Sequence, residues 1–121
     1  MAIPLITLDG EKESYRILIS YNAQVEIEEA LGKNLYQVAT EPYSPKANRI
    51  IFMYGVRYGD QRKLSLEEAG QCIDDIVAQN GIKYFEDKIV EAVLNATQLK
   101  DLMEDEKPEA GKPDQSQATT K

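Results

Sequence analysis

The sequence predicts an α+β fold: an N-terminal β-hairpin, about four α-helices and a disordered C-terminal tail. Three observations carry that reading. Two short stretches near the start are rich in β-branched and aromatic residues and flank a polar loop. From Ser20 onward the apolar residues recur at helical spacing, punctuated by capping residues and glycines. After Met103 large apolar residues vanish. The divisions are one α+β domain over residues 1–103 and a polar tail over 104–121, too poor in apolar side chains to build a core.

The hairpin is read from "IPLITL" and "SYRILIS", in which Tyr15, Ile17 and Ile19 alternate onto one face. The "DGEKE" loop between them holds Gly10, available for an unusual backbone angle. Two strands alone are marginal in water and need a helical layer against them. Ser20 or Asn22 caps the first helix, with Ala23, Ile27, Ala30 and Leu31 as its inward face and Gly32 as its left-handed stop. Glu26 and Glu29 then point away from the stripe and Glu28 lies at its edge, so the acidic cluster reads as a solvated face.

A connector, "NLYQVATEPYSP", has room for one helical turn before Pro42. Ser44-Pro45 is a cap followed by proline at the first helical position, where its missing N–H does no harm. The helix it opens runs to Tyr58-Gly59, with Ala47, Ile50, Ile51, Tyr54 and Tyr58 as the inward stripe. Beyond the loop "GDQRKL", Ser65 and Glu68 form a capping box, and Leu66, Ala69, Ile73, Ile76 and Val77 face inward. Gly70 inside this helix is tolerable where another helix packs close. Gly81 ends it. The last helix, "IKYFEDKIVEAVLNATQLKDLM", carries Ile82, Phe85, Ile89, Val93, Ala96 and Leu99 in register.

Composition narrows the function. The net charge of −7 and the scattered bases disfavour nucleic acid, whose binding rests on phosphate neutralisation. No apolar run approaches the roughly 20 residues that cross a bilayer, and Met1 to Leu8 lacks the features of a secretory signal. A soluble cytosolic protein without membrane or nucleic-acid partners is expected. There is no histidine, which removes the commonest general base and metal ligand. Cys72, the single cysteine, falls on the buried side of a helix and reads as a packed, inert thiol. A metal-dependent enzyme would have to use Glu26, Glu28, Asp74 and Asp75. The adjacent aspartates diverge by about 100° on a helix and share one ion poorly, and no loop has calcium-type spacing. Gly55, Gly59 and Gly81 lack the spacing and lysine of a phosphate-binding loop. No catalytic, cofactor or metal site is expected.

The helix of residues 45–58 is the least conventional element. Around "IIFMYGV", Phe52 and Val56 fall nearly opposite the Ile50-Tyr54 stripe, with Met53 on a flank. A helix apolar nearly all round is either enclosed by its own domain or touches a partner. Phe52, Met53 and Val56 are therefore the candidate partner-binding residues. Tyr36, Tyr43, Tyr54, Tyr58 and Tyr84 are further possible anchors, each combining apolar area with a polar tip.

The order "ITLDG…SYRILISYNAQVEIEEALGKNL", a middle helix ending "YGVRYGD", then "KLSLEEAGQCIDDI" resembles the tail assembly chaperone family of long-tailed bacteriophages and prophages, which includes the related gene transfer agent protein. The resemblance covers about residues 5–100 and rests on order and spacing. It implies a non-enzymatic role: binding the tape measure protein and keeping it soluble in the host bacterial cytoplasm while the tail tube assembles. It also implies absence from the mature virion. Contact with the tail tube protein, whose polymerisation would displace the chaperone, and self-association are further expectations. The competing expectation is a small structural tail component, terminator or connector-like, retained in the virion.

Overall fold

A computed structural model describes residues 4–39 and 44–97. Strands β1 (Ile6–Asp9) and β2 (Ser14–Ile17) form the expected antiparallel hairpin, with Ile6 opposite Ile17 and Leu8 opposite Tyr15. Alternation puts Ile6, Leu8, Tyr15 and Ile17 on one buried face, and Ile19 continues it. Thr7 and Arg16 face solvent. Gly10 serves a purpose other than the one expected. Its backbone angle is ordinary, but a side chain there would run into the Asp75 carboxylate and come 2.7 Å from the Glu13 carbonyl.

Five helices follow: α1 (Tyr21–Leu31), the short α2 (Leu35–Ala39), α3 (Pro45–Gly59), α4 (Leu66–Asn80) and α5 (Ile82–Thr97). The start signals act as their chemistry dictates. The Ser20 hydroxyl accepts from the Ala23 N–H, and Ser44 accepts from Ala47 just ahead of Pro45. Both halves of the Ser65–Glu68 capping box form. A second reciprocal pair starts α2, where Asn34 and Gln37 each accept from the other's N–H. Gly32 ends α1 at φ 73°, and Gly81, at φ 91°, is the single-residue joint between α4 and α5.

Helix α3 is the centre of the molecule. It packs against β2, α1, α4 and α5, so its apolar residues meet neighbours on nearly every side. The buried set is Asn48, Ile50, Ile51, Phe52, Met53, Gly55 and Val56, broader than the expected stripe. Tyr54 and Tyr58 are only partly buried against the core. Phe52 and Val56 are wholly inaccessible and Met53 is 7% exposed. The ring of Phe52 lies edge-on to Tyr15 and Phe85, with centroids 5.8 and 6.0 Å apart. Phe52, Met53 and Val56 are thus core residues rather than a free surface, a correction to the candidate interface. Enclosure explains the all-round apolar character of this helix.

Two glycines let α3 approach so closely. A side chain at Gly55 would come 2.8 Å from Ile17 Cβ, and one at Gly59 would overlap the Arg16 and Ile17 backbone. At this crossing the Leu18 N–H donates to the Gly55 carbonyl at 3.0 Å. Asp60, just past α3, accepts from both the Arg16 N–H (2.9 Å) and Arg16 Nε (2.7 Å). The outer edge of β2, otherwise open to pairing with another chain, is closed. On β1, Asp9 donates its N–H to the Tyr84 hydroxyl, and its carbonyl accepts from Asn80.

Three smaller expectations fail. Ala30 is exposed, the buried residues of α1 being Ala23 and Ile27. Leu66 and Ile82 are 41% and 55% exposed. Each is the first residue of its helix, and helical side chains lean toward the N-terminus, so theirs project past the packed layer. Leu99, the end of the expected last helix and the tail of 104–121 lie outside the described residues.

Two glycines give opposite expectations. Gly59→Ala forces side-chain atoms against backbone and should cost about 1–3 kcal/mol. Gly70→Ala meets nothing closer than Arg49 Cδ at 3.9 Å and should stabilise by up to about 1 kcal/mol through helix propensity. Urea unfolding of the two variants beside the parent measures both signs.

Candidate functional site

The carboxylates singled out by sequence go to separate places. Glu26 pairs with Arg57 Nη1 at 2.9 Å and accepts a hydrogen bond from the Tyr58 hydroxyl, clamping α1 to the end of α3. That bond, then burial, raises the Tyr58 phenol above its ordinary 10.0. Glu28 accepts from the Leu35 N–H at 2.8 Å and so satisfies a free donor at the start of α2. Glu29 is exposed. The solvated-face reading thus holds for Glu29, whereas Glu26 and Glu28 join elements together.

Asp75 and Asp74 also diverge. Asp75 accepts from the Lys12 N–H at 2.9 Å and from the Tyr15 hydroxyl at 3.0 Å, and its carbonyl accepts from Glu11. Burial pushes its carboxyl up, but the Lys12, Tyr15 and Glu13 hydrogen bonds outweigh burial and leave it below the ordinary 3.8. Burial raises Tyr15 far above its ordinary value, and the bond to Asp75 adds to the effect. The neighbouring Cys72 is buried, and desolvation raises its thiol too, as expected for a packed cysteine. A cavity of about 280 Å³ opens here, and Glu13, Tyr15, Arg62 and Asp75 in its lining already have partners within the fold. Arg62 bonds Glu13 at 3.0 Å and lies over the Tyr15 ring. Among the described residues no three or more of Cys, Asp and Glu gather at a metal-binding spacing.

A different character belongs to the groove between the first turn of α3, the middle of α4 and the first turn of α5. Its volume is about 380 Å³. Ile73 and Phe85 give it an apolar wall, exposed Ile82 stands at its lip, and Gly70 leaves space where a side chain would intrude. Lys46, Arg49, Asp74 and Glu86 supply two charges of each sign around it. Asn48, only 4% exposed, also lines it. Its Oδ1 and the Nε of Arg49 are buried without a hydrogen-bond partner. Leaving such atoms unpaired costs about 1–3 kcal/mol each, and a third, Arg57 Nε, is buried away from the groove at the α1–α3 joint.

Sequence reasoning did not single out Asn48, although a signal was there. Asn48 lies three, four and seven residues before Ile51, Phe52 and Gly55, placing an amide on an apolar stripe. Other apolar side chains stand outside the core one helical turn apart. Tyr21 and Val25 are exposed on α1, while Val90 and Leu94 line a shallow surface depression on α5. Of the candidate tyrosines, Tyr36 is exposed, Tyr84 bonds β1, and Tyr43 lies outside the described residues.

Asp75 yields a pH prediction. A carboxyl depressed by folding stabilises fully above its unfolded value and loses that contribution as pH falls through the folded value. Asp75→Asn should lower the Tm at neutral pH, and its deficit relative to the parent should shrink on acidification below about 3.8. Thermal melts from neutral to strongly acid pH check the sign.

The chain matches no family model, no curated protein and no solved structure.

Proposed function

We propose that this chain is a non-enzymatic binding module that shields the apolar face of a helical partner. In particular, we propose that it is a tail assembly chaperone of the long-tailed phage and prophage type, with the tape measure protein as its client. The observation that carries the reading is the α3–α4–α5 groove, with Ile73 and Phe85 in its wall and Ile82 exposed at its lip. Ile82, 55% exposed at the lip, extends the apolar surface of the recess that a partner would cover. An amphipathic client helix, whose anchors recur at every third or fourth residue, is suited to such a recess.

The order of elements supports the same reading, since hairpin, capped helices and the "LSLEEAG" start carry the sequence resemblance. A net charge of −7 adds mutual repulsion between loaded chaperones, which keeps a greasy complex dispersed. The surface assigned to the client is the groove of Ile73, Ile82 and Phe85, not Phe52, Met53 and Val56, which the core occupies. On this reading the protein acts in the host cytoplasm, releases its client as tube subunits polymerise, and is missing from finished particles.

Ile82→Asp tests the assignment. Aspartate is favourable in the first turn of a helix, and the site is exposed, so stability should change by no more than about 0.5 kcal/mol. Loss of a buried apolar anchor should weaken client capture by about tenfold or more. Co-expression with the neighbouring tape measure protein, read as the soluble fraction and by pull-down, should show rescue by the parent and its loss in the variant. Equal client solubility with and without the parent would overturn the proposal, as would recovery of the protein from purified particles.

A further inference from the structure

We propose that residues 98–103 continue α5 and lay Leu99, Leu102 and Met103 over Tyr21 and Val25, the exposed apolar face of α1. The occupant of that face is a segment of the same chain. This inference does not involve the groove and stands whether or not the groove holds a client.

Tyr21 is 78% exposed and Val25 42% exposed, one helical turn apart on α1. Between them in sequence is Gln24, whose Nε2 donates to the Ala96 carbonyl at 3.4 Å. Residues three apart are neighbours on a helix surface, so Tyr21 and Gln24 share a flank of α1. The Gln24–Ala96 bond sets the last turn of α5 beside that flank. The chain leaves α5 at Thr97, one residue past the contact. At its other end α5 meets the far end of the hairpin, where the Tyr84 hydroxyl accepts from the Asp9 N–H. Helix α5 therefore runs along β1 and passes beyond it where α1 begins.

The segment that leaves at Thr97 suits what it meets. In "QLKDLM", Leu99, Leu102 and Met103 stand at i, i+3 and i+4, and they are the only large apolar residues after Thr97. At about 3.6 residues per turn, positions five turns apart share a face. Leu102 thus falls on the face of Tyr84, which touches β1, and Met103 on that of Phe85, which is buried. Leu99 comes about two turns after Ala92, also buried. A helix carried on through Met103 keeps its apolar side where α5 has it and turns Asp101 the opposite way. Past Ala96 that side runs off the hairpin and meets the first turns of α1. The groove lies elsewhere, since Ile82 is about 22 Å from Thr97 along the α5 axis.

NMR of the full chain tests the proposal. The Tyr21 ring and the Val25 methyls should show NOEs to methyl groups of Leu99, Leu102 or Met103, and residues 98–103 should have helical chemical shifts. Replacing Leu99, Leu102 and Met103 together by serine should remove the NOEs and speed amide exchange at residues 94–97 by about tenfold or more. Asp101→Ser should leave both unchanged. Should the triple variant fail to fold, Tyr21→Ser, at an exposed site, takes its place and should speed exchange at the same amides. Coil shifts through 98–103, no NOE to Tyr21 or Val25, or unchanged exchange in the variant overturns the proposal. NOEs found only between labelled and unlabelled copies would give the face to a second copy. NOEs that form only once the tape measure protein is added would give it to the client. Either result also overturns the proposal.

Discussion

The close crossing of α3 over β2 at Gly55 and Gly59 is the constraint on which the remaining packing depends. Only residues without side chains let a helix come near enough for its Gly55 carbonyl to accept from the Leu18 N–H and for Asp60 to reach the Arg16 backbone. That approach closes the outer edge of a two-stranded sheet, which would otherwise be both marginal and sticky. It also draws α3 into the interior, where α1, α4 and α5 enclose its other sides. The burial of Phe52 and Val56 follows from where α3 lies, and so does the site. With its middle and end enclosed by β2 and the surrounding helices, the first turns of α3 line an open groove with α4 and α5.

Acidic residues hold this arrangement at its joints. Glu26 ties α1 to the end of α3, Glu28 starts α2, Asp60 anchors β2, and Asp75 fastens the hairpin loop to α4. Each accepts from backbone N–H groups, a guanidinium or a tyrosine hydroxyl, charge-assisted bonds stronger than neutral ones. A chain with an excess of acids thus uses several of them as structural acceptors and leaves others, such as Glu29, in solvent. Among the described residues three buried polar atoms are left without a partner, Asn48 Oδ1 and Arg49 Nε at the groove and Arg57 Nε at the Glu26 joint, a condition uncommon in a folded interior.

What was legible in the sequence was local. The alternation of Tyr15, Ile17 and Ile19, the Ser44-Pro45 start, the Ser65–Glu68 box and the Gly32 stop all depend on residues within a turn or two of each other, and each is present in the fold. What was not legible depends on distant partners. Asp75 meets Lys12 and Tyr15 across some sixty positions, and no spacing rule announces that Gly10 is needed to clear its carboxylate. The role of Phe52, Met53 and Val56 could be narrowed only to core or interface, because periodicity describes a helix and not what surrounds it. Asn48 stood in plain view on an apolar stripe, yet its unpaired oxygen became visible only once α4 and α5 were placed.

The central claim is that a client covers the groove formed by α3, α4 and α5. Hydrogen–deuterium exchange of the protein, free and bound to the tape measure protein, tests it most directly. The account predicts slowed exchange concentrated in residues 45–49, 70–74 and 82–86, with the hairpin unchanged. Protection confined to the hairpin or to the outer face of α5, with those three segments unaltered, would contradict it.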